Sequence, residues 1–467
     1  MLWLCIHLPA LPLEALSPPA DEPAGVVEIR GSRRLVIAAN PAAAGRGVGP
    51  GTPVNSALGL IPEIRLLPRD PQAELQVLET LACWAYGLGT PVTLCASGLA
   101  VWVEIRHSLR LFGGWPALRR HITAEAKHLP HTKQYGIAPT LSAAALLAHA
   151  GAGLERPIAL RQEIPRAIRQ WPLRLLPLDP AAAATLHGSG LRRIGEVLAL
   201  PRDSLGRRFG PQLPLALERL LGRAAETWQS FEPPPVYRRR FELPGSAETT
   251  EGLLFPLRKM LGDFALYLRA RDVAVQRFQL RFRDLGRRYT RFDIGLLAPT
   301  RDPNRLLLVL RERLEKVVLA EPVQELYLLA RRFEPASAAQ NDLFQSGSTL
   351  AESFETLQER LVARLGHEAV RQLAVVADHR PERAWSGAGD QAAAQPPRPI
   401  WLLPEPRPIA EPALLGPPER IECGWWEGRH AVRDYHLAED AAGRKLWVYR
   451  QPQGGGTCSW RLHGLWQ

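Results

Sequence analysis

Leu2-Trp3-Leu4-Cys5-Ile6-His7-Leu8 is a continuous, largely apolar run that stops at Pro9. Side chains on a strand alternate between two faces, so a run without alternation needs both faces covered. The run is therefore expected at the centre of a sheet with layers packed on each side. It carries no carboxylate.

Short elements follow it. Val26–Ile29 and Arg34–Asn40 read as strands joined by a Gly-Ser turn. Between Pro41 and Pro53, glycines and prolines force tight turns, and Thr52-Pro53 opens a helix over Val54–Leu60. Helical spacing runs through Asp70–Gly87. Pro91–Ile105 reads as a hairpin turning at Ser97-Gly98. A helix over Trp115–His128, a strand over Tyr135–Ala138 and an Ala-rich helix over Thr140–Ala150 complete an α+β first part.

From Pro165 to Gly222 the pattern becomes all-helical. Leu186-His187-Gly188-Ser189-Gly190-Leu191-Arg192-Arg193-Ile194-Gly195 has the form of a helix-hairpin-helix. Glycines there let a backbone approach phosphates, and a helix start points N–H groups at them; a plain αα-turn fits the same residues. Phe231–Val236 is a stiff, proline-rich linker. Strands and helices over residues 237–332 then alternate as β-α-β-β-α-β, a split ferredoxin-like module. Arg238, Arg240, Arg277, Arg281 and Arg283 fall at outward parity on its strands, a charge pattern that suits a nucleic-acid backbone.

After this body the chain changes character. Leu343-Phe344 stands alone in a polar, turn-prone stretch, with Gln340 three residues ahead of the pair. An apolar pair on a tether is suited to burial by a partner. Thr349–Leu365 is amphipathic, and Arg383–Pro418 is proline-rich and expected to be extended. The terminus reads as three or four short strands whose aromatics, Trp425, Trp426, Tyr435 and Trp447 among them, would form a partner surface.

Charge narrows the function class. Lys+Arg 58 against Asp+Glu 47 gives +11, which favours a polyanionic partner. No apolar run approaches the ~20 residues of a membrane span, and Met1–Leu16, interrupted by Pro9 and Pro12, does not read as a signal peptide. Five scattered cysteines give neither a disulfide framework nor a CxxC metal site, and indicate a reducing cytoplasm. The histidines His121, His128 and His131 form no ligand cluster, and no metal or cofactor site is expected.

The order of these parts resembles the Y-family translesion DNA polymerases over about residues 1–335. The resemblance is carried by Val36–Pro53 with its glycines, by Gly136–Pro139, and by Leu191–Gly195 with Arg207-Arg208-Phe209-Gly210. It implies a polymerase-like right hand, with palm and fingers over 1–164, a helical thumb over 165–230 and a little finger over 236–335. One departure decides the chemistry. Nucleotidyl transfer needs about three carboxylates around two metal ions, which Y-family enzymes supply from the first strand and the hairpin. Here Cys5 to His7 occupy the first-strand positions, and Ser97 and Gly98 the hairpin positions. The nearest acids, Glu14 and Glu104, lie beyond two prolines and roughly 20 Å along the strand, respectively. The Ala-rich helix lacks the lysine the family usually carries for the incoming nucleotide.

Gln340-x-x-Leu343-Phe344 resembles the peptide by which bacterial polymerases dock on the sliding clamp. Together with the missing acids, Asp378–Glu382, Glu422–Trp426 and Arg433–Tyr435, it makes the chain similar to the ImuB family, the non-catalytic Y-family branch of the bacterial mutasome. That resemblance implies a cytoplasmic, DNA-binding scaffold in SOS mutagenesis without cofactors, with a clamp-binding linker over 336–348 and a partner-binding region over 349–467. Its implied partners are primer-template DNA, the clamp, an error-prone C-family DNA polymerase and an ImuA-type RecA-like protein. Two other readings remain open here: an active polymerase using Glu14 and Glu104, and a structure-specific repair factor.

Overall fold

β1 (Trp3–His7) is an interior strand with all five residues buried in this computed structural model. The structure describes residues 1–336 except 17, 19–20, 96, 177 and 316. Beyond these it describes parts of 357–370, then 374–376, 378–386, 397–399, 401–425, 428, 430–452 and 458–466. In chain order follow α1 (Leu11–Glu14), β2 (Ala24–Arg30), β3 (Arg33–Ala39), α2 (Pro41–Ala44) and α3 (Val54–Leu60). Next come β4 (Arg65–Pro68), α4 (Pro71–Ala85), β5 (Val92–Cys95), β6 (Ala100–Glu104), α5 (Trp115–Glu125), β7 (Gln134–Ala138) and α6 (Leu141–His149).

The palm sheet runs β5-β6-β1-β7, antiparallel throughout. Leu4 and Ile6 face a core with Leu78, Leu81 and Trp84 of α4 and Leu118 and Ile122 of α5. Trp3 and Cys5 face the opposite core with Ala143, Ala144 and Leu147 of α6. The unbroken apolar run thus has the double cover it requires. Helices α4 and α6 start at side-chain caps: Asp70 accepts from the amides of Gln72 and Ala73, and Thr140 from Ala143. Gly136 lets α6 lie against β7, since a Cβ there would sit 2.1 Å from the Ala144 carbonyl oxygen.

The fingers sheet is β3-β2-β4. The sequence reading lacked β4, a four-residue strand paired in parallel with β2, because so short a run has no legible period. The thumb consists of α7 (Ile164–Ile168), α8 (Pro180–Gly188), α9 (Ile194–Leu198), α10 (Arg202–Phe209) and α11 (Gln212–Leu220). Ile164, Leu186 and Leu217 close over the core of α6.

The little finger comprises β8 (Tyr237–Ala247), α12 (Thr250–Ala270), β9 (Val273–Asp284), β10 (Tyr289–Thr300), α13 (Pro303–Leu314) and β11 (Val323–Ala330). Its sheet order is β10-β9-β11-β8, all neighbours antiparallel, which inserts β11 between β8 and β9 as a split β-α-β unit requires. A two-residue strand, β12 (Glu334–Pro335), pairs with the start of β9. The linker before β8 is fastened, with Phe231 N–H donating to Val92 O at 2.8 Å and Tyr267 Oη to Pro234 O at 2.5 Å. Palm, fingers, helical thumb and little finger form the α+β right hand that the resemblance implied.

Residues Leu361–Gln467 form a second compact unit. Its strands are β13 (Ala374–Val375), β14 (Trp385–Ser386), β15 (Trp401–Ile409), β16 (Ala413–Leu414), β17 (Glu419–Cys423), β18 (Ala431–Glu439), β19 (Lys445–Pro452) and β20 (Cys458–Leu465). The main sheet runs β15-β20-β19-β18-β16, with β17 also on β18. Part of the proline-rich stretch is therefore a sheet strand. Pro404, Pro406 and Pro408 are tolerated because β15 is an edge strand, where missing donors cost least. The peptide Gln340–Phe344 and residues 349–356 of the expected amphipathic helix lie outside the described residues.

Candidate nucleic-acid interface and the palm centre

At the palm centre, Cys5 is fully buried and burial pushes its thiol well above the ordinary value, so it is a packing residue. His7, directly opposite Ala100 and Gln134, is buried except at its edge. Its Nδ1 lies 3.2 Å from Gln134 Oε1, and its ring centroid is 4.0 Å from that of His149 on α6. Burial, then His149, lowers its pKa below the ordinary histidine value. Two closely packed imidazoles, and no carboxylate of β1, therefore occupy the end of the strand. Ser97 lies in the hairpin turn, its Oγ 3.2 Å from Cys95 Sγ, with Gly98 beside it.

The two nearest acids go elsewhere. Glu104 pairs across β1 with Trp3, at the opposite end from His7. It is buried and accepts from the amides of Leu2 at 2.8 Å and Arg106 at 3.2 Å. Glu14 accepts from the Thr132 amide and hydroxyl. Among the described residues no group of three or more His, Cys, Asp or Glu side chains could hold a metal ion. The start of α6 is also closed by the chain itself, since Glu226 accepts from the amides of Leu141 at 2.7 Å and Ser142 at 2.8 Å.

In the thumb, Gly190 takes a left-handed φ of 83°, which makes the turn between α8 and α9. Its amides are not directed outward, contrary to the expectation of a phosphate cradle. Those of Ser189, Gly190 and Leu191 donate to carbonyls of α8, and those of Arg192 and Arg193 to Glu196 at 2.7 and 3.0 Å. The capping carboxylate outcompetes an external anion because it is tethered. Gly188 is exposed within the last turn of α8. Gly195 serves packing, as a Cβ there would come within 2.7 Å of the Arg169 carbonyl oxygen. Arg192 and Arg193 are turned onto His187 and Gln170.

On the outer face of the little-finger sheet, Arg238 and Arg277 are exposed, and Arg281 is exposed while donating to Gln279 at 2.6 Å. The face is not purely basic. Arg240 and Arg283 converge on Glu325 of β11, and Asp293 pairs with Arg291. Cross-strand parity placed the arginines on one face; it did not show that carboxylates share it.

Residues 13–149 match the impB/mucB/samB family. Two relatives, each called Protein ImuB, come from Caulobacter vibrioides, one from strain NA1000 / CB15N and one from strain ATCC 19089 / CIP 103742 / CB 15. Each is 30% identical over 458 residues, 90% of this chain and 99% of its own. The chain belongs to the ImuB family. Among solved structures, DinB from Sulfolobus solfataricus is 16% identical, with 70% of this chain and 98% of that one covered and a TM-score of 0.41. An insertion ternary complex of Dbh DNA polymerase is 15% identical with the same coverage and a TM-score of 0.42.

In this ImuB-family chain the C-terminal aromatics divide by burial. Trp425 is 70% exposed, as a partner surface would need, and Trp426 lies outside the described residues. Tyr435 and Trp447 do not form a surface: they are 1% and 4% exposed and stack at 4.1 Å in the core of the unit. Alternation along β18 and β19 brings both to one face, where the sheet buries them. Asp378 and Arg380 form a charge pair, and Glu382 binds Arg433, whose guanidinium covers Tyr449 at 5.1 Å. Their motif is thus part of the unit's framework. Sequence reasoning missed Glu196, Glu226 and Glu325, the carboxylates that hold the thumb amides, the α6 amides and two little-finger arginines, because each acts across a fold contact or a cap with no periodic signature.

Proposed function

We propose that this ImuB-family chain is a non-catalytic, DNA-binding scaffold of SOS-induced mutagenic translesion synthesis in the cytoplasm. What supports the proposal is the palm centre: where the family resemblance expects acids the chain has Cys5, His7, Ser97 and Gly98, and Glu104 and Glu14 are committed to separate backbone partners. Two-metal transfer needs its carboxylates convergent within a few ångströms. The exposed arginines Arg238, Arg277 and Arg281, with the exposed guanidinium groups of Arg192 and Arg193 beside the thumb turn, supply the charge for a duplex backbone. Gln340, Leu343 and Phe344 supply the contact to the sliding clamp, and the C-terminal unit, through Trp425, the contacts to a C-family polymerase and an ImuA-type protein.

Primer extension by the purified protein, with Mg²⁺ or Mn²⁺ and with or without clamp, tests this. No incorporation is expected from folded, primer-template-bound protein. Incorporation that a Glu14→Gln/Glu104→Gln variant loses would make the chain an enzyme.

A further inference from the structure

Glu325 is 5% exposed at the centre of the little-finger face and holds two of its arginines. Its Oε1 lies 2.9 Å from Arg240 Nη2 and 2.6 Å from Arg283 Nη1, its Oε2 accepts from Arg240 Nε at 3.0 Å, and the Tyr327 hydroxyl also donates to it. Glu242 lies 3.4 Å from Arg240. A carboxylate in this position offers two guanidinium groups what a phosphate would offer: a bidentate acceptor with negative charge. By contrast, Arg238, Arg277 and Arg281 have no carboxylate within ion-pairing distance among the described residues, and all three are exposed.

We infer that Glu325 is a built-in phosphate surrogate that withholds Arg240 and Arg283 from nucleic acid, so that the face binds DNA through Arg238, Arg277 and Arg281 and with deliberately reduced affinity. The inference rests on the DNA-binding reading of this face. Its physical basis is competition. A phosphate approaching Arg240 or Arg283 must displace a tethered, largely desolvated carboxylate, whereas one approaching Arg277 displaces only water and counterions. A scaffold that must hand its DNA to another enzyme is served by such attenuation.

The test is the salt dependence of binding of a labelled DNA duplex to the full chain, measured by fluorescence anisotropy. Each phosphate contact contributes about 0.9 to the slope of log affinity against log salt. Glu325→Gln keeps hydrogen-bonding capacity and removes the charge; it is expected to steepen the slope by up to about 1.8 and to tighten binding several-fold at low salt. In the wild-type background, Arg240→Ala/Arg283→Ala is expected to change the slope by less than about 0.5, and Arg277→Ala to lower it by about 0.9. An unchanged slope and affinity in Glu325→Gln would overturn the inference. So would a fall of about 1.8 in the double arginine variant, which does not depend on the Glu325 variant folding. Absence of salt-dependent binding by the wild type would instead remove the DNA reading, and this inference with it.

Discussion

Arg239 of β8 donates to Glu79 of α4 across 2.8 Å, tying the little finger to the palm. Both side chains are largely buried, and Tyr237, Cys83 and Asp263 are close enough to perturb or be perturbed by the guanidinium. Among the described residues its Nε and the Tyr237 hydroxyl have no hydrogen-bond partner, which leaves Glu79 as the guanidinium's acceptor. Glu79→Ala leaves a buried guanidinium without its acid and is expected to cost about 2 kcal/mol, read as a lowered urea midpoint. Equal midpoints for Glu79→Ala and wild type would show that the pair contributes nothing.

Asp263 gives the same junction a pH dependence. Burial raises its pKa to about 6, with Lys259 and then Arg239 opposing the rise. A carboxyl that binds its proton more tightly when folded stabilises the fold below the unfolded pKa and loses that contribution as pH rises through the folded one. Stability should therefore decline between about pH 4 and 6 by an amount on the order of 1–3 kcal/mol, and Asp263→Asn should flatten that decline. Identical pH–stability profiles for the two proteins would refute it.

The second unit offers a contrast between two tryptophans. Trp447 lies between Tyr435 and the Arg398 guanidinium, 5.0 Å from its ring centroid, and Trp447→Ala should cost about 3–5 kcal/mol in that unit. Trp425→Ala should change stability by less than about 0.5 kcal/mol while weakening capture of the C-family polymerase or the ImuA-type protein. Pull-down of both partners at wild-type levels by Trp425→Ala would exclude that side chain from the interface.

Clamp docking is tested apart from the folded body. Leu343→Ala/Phe344→Ala is expected to abolish binding to the sliding clamp and to leave duplex affinity unchanged, as measured by surface plasmon resonance against each. Unaltered clamp affinity would sink the assignment of that peptide.

Much of the architecture was legible because it follows from local rules. The unbroken run at Leu2–Leu8 required a doubly covered strand, the spacing over Asp70–Gly87 and the Ala-rich run over Thr140–Ala150 read as helices, and the β-α-β-β-α-β order of residues 237–332 gave the split module. The residue types at Cys5, His7, Ser97 and Gly98 were equally plain. What escaped was everything set by contact between distant segments. Strand β4 exists because β2 offers it a parallel edge. Glu226 closes α6 from 84 or more residues away, and Glu325 meets Arg240 and Arg283 across two strand pairs.

Sequence alone determined the order of folded parts and the net positive charge, since composition and short-range spacing carry these directly; that Cys5, His7, Ser97 and Gly98 stand at acid positions is what the family resemblance implies. Only the tertiary structure decided which arginines remain available, which aromatics are core and which surface, and where Glu14 and Glu104 spend their charge. Availability is a property of neighbours: an arginine is a ligand or half of an internal ion pair according to what the fold places within about 3 Å of it.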